Sequence, residues 1–120
     1  MNATTTTFDT AALRRGIEQR DAAALLALYA PDAEMTVVDR NAPPSCPRVL
    51  HGRAAIGEYL DDTCGREMTH SLERVVVSGE TAAFSQACRY PDGTRVLCLA
   101  MLDLRDGLIV RQTAVQEWDA

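Results

Sequence analysis

Proton transfer is the chemistry that the side chains of this sequence support most directly. Histidine titrates nearest neutrality, and the chain holds two, His51 and His70. Asp39 ends a run, residues 33–39, whose side chains alternate as in a strand, and a proline-rich stretch, 41–47, follows it. A carboxylate at the mouth of an apolar pocket is placed to abstract a proton next to a carbonyl; a solvated strand-end carboxylate fits the same pattern. Tyr59 shares a run with Ile56 and Leu60, so its hydroxyl either meets a ligand carbonyl or snorkels from the core. In the last apolar run, period two puts Gln112, Ala114, Gln116 and Trp118 on one face. Uncharged amides beside a large aromatic suit a cavity that orients a mostly apolar ligand by a few hydrogen bonds. Phe84, Gln86, Cys88 and Tyr90 share a face of an earlier run, and Cys98 and Ala100 are small enough to leave volume for a ligand. Arg48 and His51 flank the proline-rich stretch, where they would attract an acidic substrate or simply sit in solvent.

Composition removes several other chemistries. All twelve positive residues are arginine, so no lysine is present for a Schiff base or a phosphate-binding loop. Cys46, Cys64, Cys88 and Cys98 include no CxxC pair, and the histidines are not spaced as zinc ligands, so four free thiols and no metal are expected. There is no GxSxG elbow, dinucleotide fingerprint, HExxH or EF-hand loop, which leaves cofactor-free chemistry. A net charge of -5 has the wrong sign for nucleic acid. No apolar run approaches the roughly 20 residues needed to span a bilayer, and residues 1–7 lack a secretory pattern, so a cytoplasmic protein is expected.

The elements that must position these groups follow from punctuation and period. Asp9 or Thr10 can cap a first helix, with Phe8 stapled to Leu13, ending near Arg20; Asp21 caps a second, residues 22–30, that Pro31 terminates. After the strand at 33–39, His51-Gly52-Arg53 leads into a third helix that stops at Cys64-Gly65. Strands are then expected at 69–78, 81–90, 94–104 and 108–118, separated by Ser78-Gly79, Pro91-Asp92-Gly93 and Asp106-Gly107. Such short connections make them an antiparallel meander. The expectation is an α+β fold: a tail at 1–7 and one domain at 8–120. Its Leu97, Leu99 and Met101 stripe argues for a homodimer.

This order, with Asp21 through Asp32-Ala33, His51-Gly52-Arg53-x-x-Ile56, Thr69-His70, Gly79-x-x-Ala82 and Asp106-Gly107-x-Ile109, resembles the nuclear-transport-factor-2-like superfamily, and SnoaL-like proteins within it. The resemblance implies a cone-shaped roll: a strongly curved, mainly antiparallel sheet with three helices over its concave face enclosing an apolar pocket, and dimerisation through the convex face. It places His70 as the first proton carrier to test. The superfamily includes ketosteroid isomerases, polyketide cyclases, dehydratases, epoxide hydrolases and binding modules, so the site decides the function. The ketosteroid isomerase positions for a base aspartate, a tyrosine and a protonated aspartate fall on Val37, about Leu13, and Ala100 or Leu102; none is retained. The arginine-x-aspartate pair of the limonene-type epoxide hydrolases is reversed, as Asp103-x-Arg105. The expected function is therefore cofactor-independent acid-base catalysis on a small, largely apolar carbonyl compound, by isomerisation, aldol-type cyclisation or dehydration. Asp39 or His70 is the base, and Tyr59, Gln112 or Gln116 steadies the enolate. The alternative is a non-catalytic ligand-binding or dimeric interaction module on the same fold.

Overall fold

The structure is a computed structural model and describes residues 7–119. The expected tail at 1–7 therefore lies outside the described residues, except for Thr7, which is exposed coil. Three helices, α1 (Thr10–Glu18), α2 (Ala22–Leu26) and α3 (Gly52–Gly65), accompany six strands. These are β1 (Tyr29–Val38), β2 (Arg48–His51), β3 (Thr69–Ser78), β4 (Thr81–Arg89), β5 (Arg95–Arg105) and β6 (Leu108–Trp118). The sheet order is β2-β1-β6-β5-β4-β3, antiparallel throughout except for the parallel pair β1 and β6. The α+β architecture and the meander agree with the sequence expectation.

The caps are made as anticipated. Asp9 accepts from the Ala12 amide at 2.9 Å, and Asp21 accepts from the Ala24 amide at 3.0 Å, each satisfying a donor the helix start leaves free. Gly16 lets α1 and α2 meet, because a Cβ there would come within 2.6 Å of Leu25 Cδ2. Gly52, at φ +80, turns the chain from β2 into α3, a conformation that favours glycine.

Two differences from expectation exceed a shift of one or two residues. The second helix ends at Leu26 rather than Ala30, and Tyr29 is the first residue of a strand. Proline biases the residue before it, Ala30, toward extended backbone, and the strand begins one residue earlier still, at Tyr29. Pro31 itself is tolerated because the β1–β6 register is irregular between Tyr29 and Glu34, so its missing N–H falls in that gap. The other difference is β2, a short edge strand after the proline-rich loop that pairs Arg48 with Val37 and His51 with Glu34.

The core lies between the helices and one face of the sheet. Leu13, Ile17, Leu25, Ile56 and Leu60 pack in one cluster with Met35, Val37, Leu72, Phe84, Leu102 and Ala114. Further irregularities in β3, between Leu72 and Arg74, and in β5, between Asp103 and Leu104, are the kind that bend a sheet. Among the described residues, no helix is long and apolar enough to cross a membrane.

Candidate active site

Strand register assembles the site in rows across the sheet. Gln86 on β4 opposes Cys98 on β5, which opposes Gln116 on β6, so three polar side chains from three strands lie side by side. One step along, Phe84, Ala100 and Ala114 form an apolar row that ends on Val37 of β1. The small side chains at 98 and 114, both on the lining, leave space between sheet and helices unfilled. The result is a cavity of about 700 Å³, inside the range of small-molecule sites. Of the residues singled out from sequence, Asp39, Tyr59, His70, Phe84, Gln86, Cys88, Cys98, Gln112, Gln116 and Trp118 line it, as do Arg48 and Tyr90, whereas Ala100 and His51 do not.

Two tyrosine–glutamine pairs make short hydrogen bonds inside, and they run in opposite directions. The Tyr29 hydroxyl donates to Gln112 Oε1 at 2.6 Å. That commits the amide oxygen and leaves the Gln112 NH2 without a partner among the described residues, although Gln112 is only 6% exposed. On the other wall Gln116 Nε2 donates to the Tyr59 hydroxyl oxygen at 2.7 Å, so the Tyr59 proton remains to be given. Burial first, then the nearby Tyr59 and Cys98, pushes the Tyr29 hydroxyl above its ordinary range; burial and Cys98 do the same for Tyr59, partly offset by Gln116. Both are therefore neutral near pH 7. Tyr29 falls within residues 22–30, the stretch whose composition suits a helix, so the sequence does not single it out as a lining residue.

His70 is half-buried, and its strand partner is Cys88. Its Nδ1 lies 2.9 Å from Cys88 Sγ, and the Cys88 thiol in turn points at Gln86 Oε1, 3.7 Å away. Burial, and secondarily the Arg20 charge, lowers the His70 pKa, so the imidazole is neutral at pH 7. Burial pushes the Cys88 thiol up to about 11, with nearby Cys98 adding to the shift. Burial also raises Cys98 to about 11 against a hydrogen bond from Gln86. Neither thiol is an activated nucleophile.

The charged lining residues stand toward solvent. Asp39 Oδ1 accepts from the amides of Asn41 at 2.8 Å and Ala42 at 3.0 Å, which folds the proline-rich loop back over β1. Arg48 holds its guanidinium 5.2 Å from the Tyr59 ring centroid, and Arg40 sits 5.1 Å from that of Trp118. Arg66, a lining residue not singled out from sequence, donates to Asp62 at 2.6 Å and to the Tyr90 hydroxyl at 3.3 Å. His51 is not on the lining; it pairs with Glu34 at 3.1 Å across the β1–β2 edge. Among the described residues, no three His, Cys, Asp or Glu side chains are grouped to hold a metal ion.

Leu13, Val37 and Ala100 or Leu102, the positions that the resemblance sets against the acidic and phenolic groups of ketosteroid isomerases, are buried apolar residues here. No curated protein matches the chain. Solved structures do. A candidate ketosteroid isomerase from Kribbella flavida superposes with a TM-score of 0.72 at 21% identity, covering 92% of this chain and 75% of its own. A protein of unknown function, like nuclear transport factor 2, from Burkholderia xenovorans gives 0.76 at 17%, covering 90% and 79%. IdmH, a candidate polyketide cyclase from Streptomyces antibioticus, gives 0.66 at 25%, covering 89% and 88%. The SnoaL-like domain profile matches residues 10–112. That match spans most of a chain whose six-stranded sheet, covering helices and internal cavity already describe the nuclear-transport-factor-2-like fold, and the protein belongs to the SnoaL-like domain family.

Proposed function

We propose that the protein is a cofactor-independent enzyme that moves a proton next to the carbonyl of a small, largely apolar compound. The observation that carries this reading is the NH2 of Gln112, a lining residue only 6% exposed: it has no hydrogen-bond partner among the described residues, is held in its orientation by Tyr29, and is open to the cavity rather than sealed in the core. With the free hydroxyl proton of Tyr59 it supplies two uncharged donors in one cavity. Two such donors stabilise a carbonyl oxygen best when it carries the negative charge of an enolate.

His70 is the base. If the Cys88 thiol donates to Gln86, the His70 Nδ1–H faces sulfur, and Nε2 keeps the lone pair that accepts a proton. The C–H bond next to the carbonyl breaks, its proton goes to Nε2, and its electron pair moves onto the carbonyl oxygen between Tyr59 and Gln112. Return of the proton to another carbon gives isomerisation. Expulsion of hydroxide as water gives dehydration, and attack on a second carbonyl gives cyclisation. Asp39 is the second candidate base, with one carboxylate oxygen already committed to its own turn. IdmH and the Kribbella flavida protein support the reading through the activities their names carry. We propose also that the convex stripe is covered by a second copy of the chain, as the exposure of Leu97, Leu99 and Met101 suggests.

Proton exchange tests this without knowledge of the product. In deuterated buffer, NMR should show the protein accelerating loss of the α-protons of a bound ketone. Tyr59→Phe should slow that exchange about 100- to 1,000-fold, the cost of one lost oxyanion donor. His70→Gln should slow it about 100-fold or more. Full exchange in His70→Gln, together with loss in Asp39→Asn, would move the base to Asp39. Tight binding without exchange would make the protein a binding module.

A further inference from the structure

We infer that the ligand of this cavity carries a carboxylate, and that Arg48 at the rim receives it. This rests on the reading of the cavity as a carbonyl site and adds the substrate class. Two arginines line the cavity, Arg48 and Arg66. Arg66 is committed to Asp62 and Tyr90, and Arg40, which borders the rim through Trp118, is committed to Glu117 at 2.6 Å. Arg48 has no carboxylate within 4.0 Å among the described residues. The one carboxylate on the lining, Asp39, turns Oδ1 into its own loop. An unpaired cation at the mouth of a cavity, in a chain of net charge -5, is a local attraction for an anion that the rest of the molecule repels.

The placement of Arg48 narrows the anion further. Pairing with Val37 fixes its backbone at the edge of the sheet, and stacking over Tyr59 restricts its guanidinium. A restricted guanidinium presents a fork that matches the two oxygens of a carboxylate. It stands beside the same ring whose hydroxyl proton is free to meet a carbonyl. Deeper in, Gln86, Gln112, Gln116 and Cys98 are uncharged, so the cavity divides a ligand into an anionic end at the rim and a neutral carbonyl end inside. A keto acid with a few bonds between its two functional groups has that division.

A matched pair of probes tests the assignment: 4-oxo-4-phenylbutanoate and its methyl ester, titrated by calorimetry at low and at physiological salt. The wild-type protein should bind the acid about tenfold or more tightly than the ester, with a preference that weakens as salt rises. Arg48→Met should bring the two within about twofold, and Arg48→Lys should retain part of the difference, with melting temperatures unchanged because Arg48 is exposed. Equal binding of acid and ester, a preference that survives Arg48→Met, or no binding of the acid at about 10 mM would overturn the assignment. The two readings fail separately. Ester binding equal to acid and lost in Tyr59→Phe removes the carboxylate but keeps the carbonyl site, whereas an Arg48-dependent acid preference without α-proton exchange removes catalysis but keeps the carboxylate.

Discussion

The two faces of β5 and β6 each interrupt the usual partition of polar and apolar side chains. Toward the helices, buried or half-buried positions carry Cys98, Gln112 and Gln116; toward the outside, Leu97, Leu99, Met101 and Val115 are each at least half exposed. Neither choice serves the folded monomer. Buried amides require partners, and an exposed aliphatic stripe invites association. Each face makes sense as half of an interaction, the inner one with a small molecule and the outer one with a flat apolar surface. The stability of the chain itself comes from the inner side, where Ala100 and Leu102 pack between sheet and helices and are 3% and 1% exposed.

The largest effect that would break this comparison comes from adjacent residues of one strand. Ala100→Asp places a carboxylate without a partner in the core and should cost about 3 kcal/mol or more in urea denaturation. Leu99→Glu should change monomer stability by no more than about 0.5 kcal/mol, yet convert a dimer to a monomer in sedimentation equilibrium. A wild-type protein that sediments as a monomer would leave the outer face without its proposed partner.

Thiol reactivity sharpens the contrast with a smaller effect. Cys46 is exposed on the proline-rich loop, whereas Cys88 and Cys98 are buried and held near 11 by burial. At pH 8 only about one in a thousand of the buried thiols is ionised, so Cys46 should react with a disulfide reagent about 100-fold faster or more. Cys64 is only partly buried, so a Cys46→Ser/Cys64→Ser double variant in which a fast thiol remains would show that the inner face is open to solvent.

The smallest effect concerns pH. The folded state holds the His70 pKa below its ordinary value of 6.5, so the unfolded chain binds more protons as pH falls through that value. Stability from this group is therefore full above pH 6.5 and lost as pH drops toward and below the folded value. The acid limb of the α-proton exchange rate should lie below 6.5 for the same reason. His70→Gln should remove this pH dependence of stability, and an unchanged thermal-denaturation profile across pH 5 to 8 would contradict the burial of the imidazole.

Much of the site was legible because a strand repeats every two residues. That period alone separated Gln112, Gln116 and Trp118 from Arg111, Thr113 and Val115, and β6 is buried and exposed in that pattern. Capping chemistry likewise placed the starts of α1 and α2 at Asp9 and Asp21. Where a local signal was ambiguous the reading slipped, as at Tyr29, whose apolar neighbours suit a helix turn as well as a strand start.

What the sequence determined by itself, then, was the element order, the faces of the strands and the inventory of uncharged donors, since each depends on neighbours a few residues away. Tertiary structure decided the rest: that Tyr29 meets Gln112 across 83 positions, that Gln116 meets Tyr59 across 57, and that His70 meets Cys88 rather than a carboxylate. Those pairings depend on register between strands and on where helices rest above the sheet. Both are set by packing of the whole core, which no local period encodes.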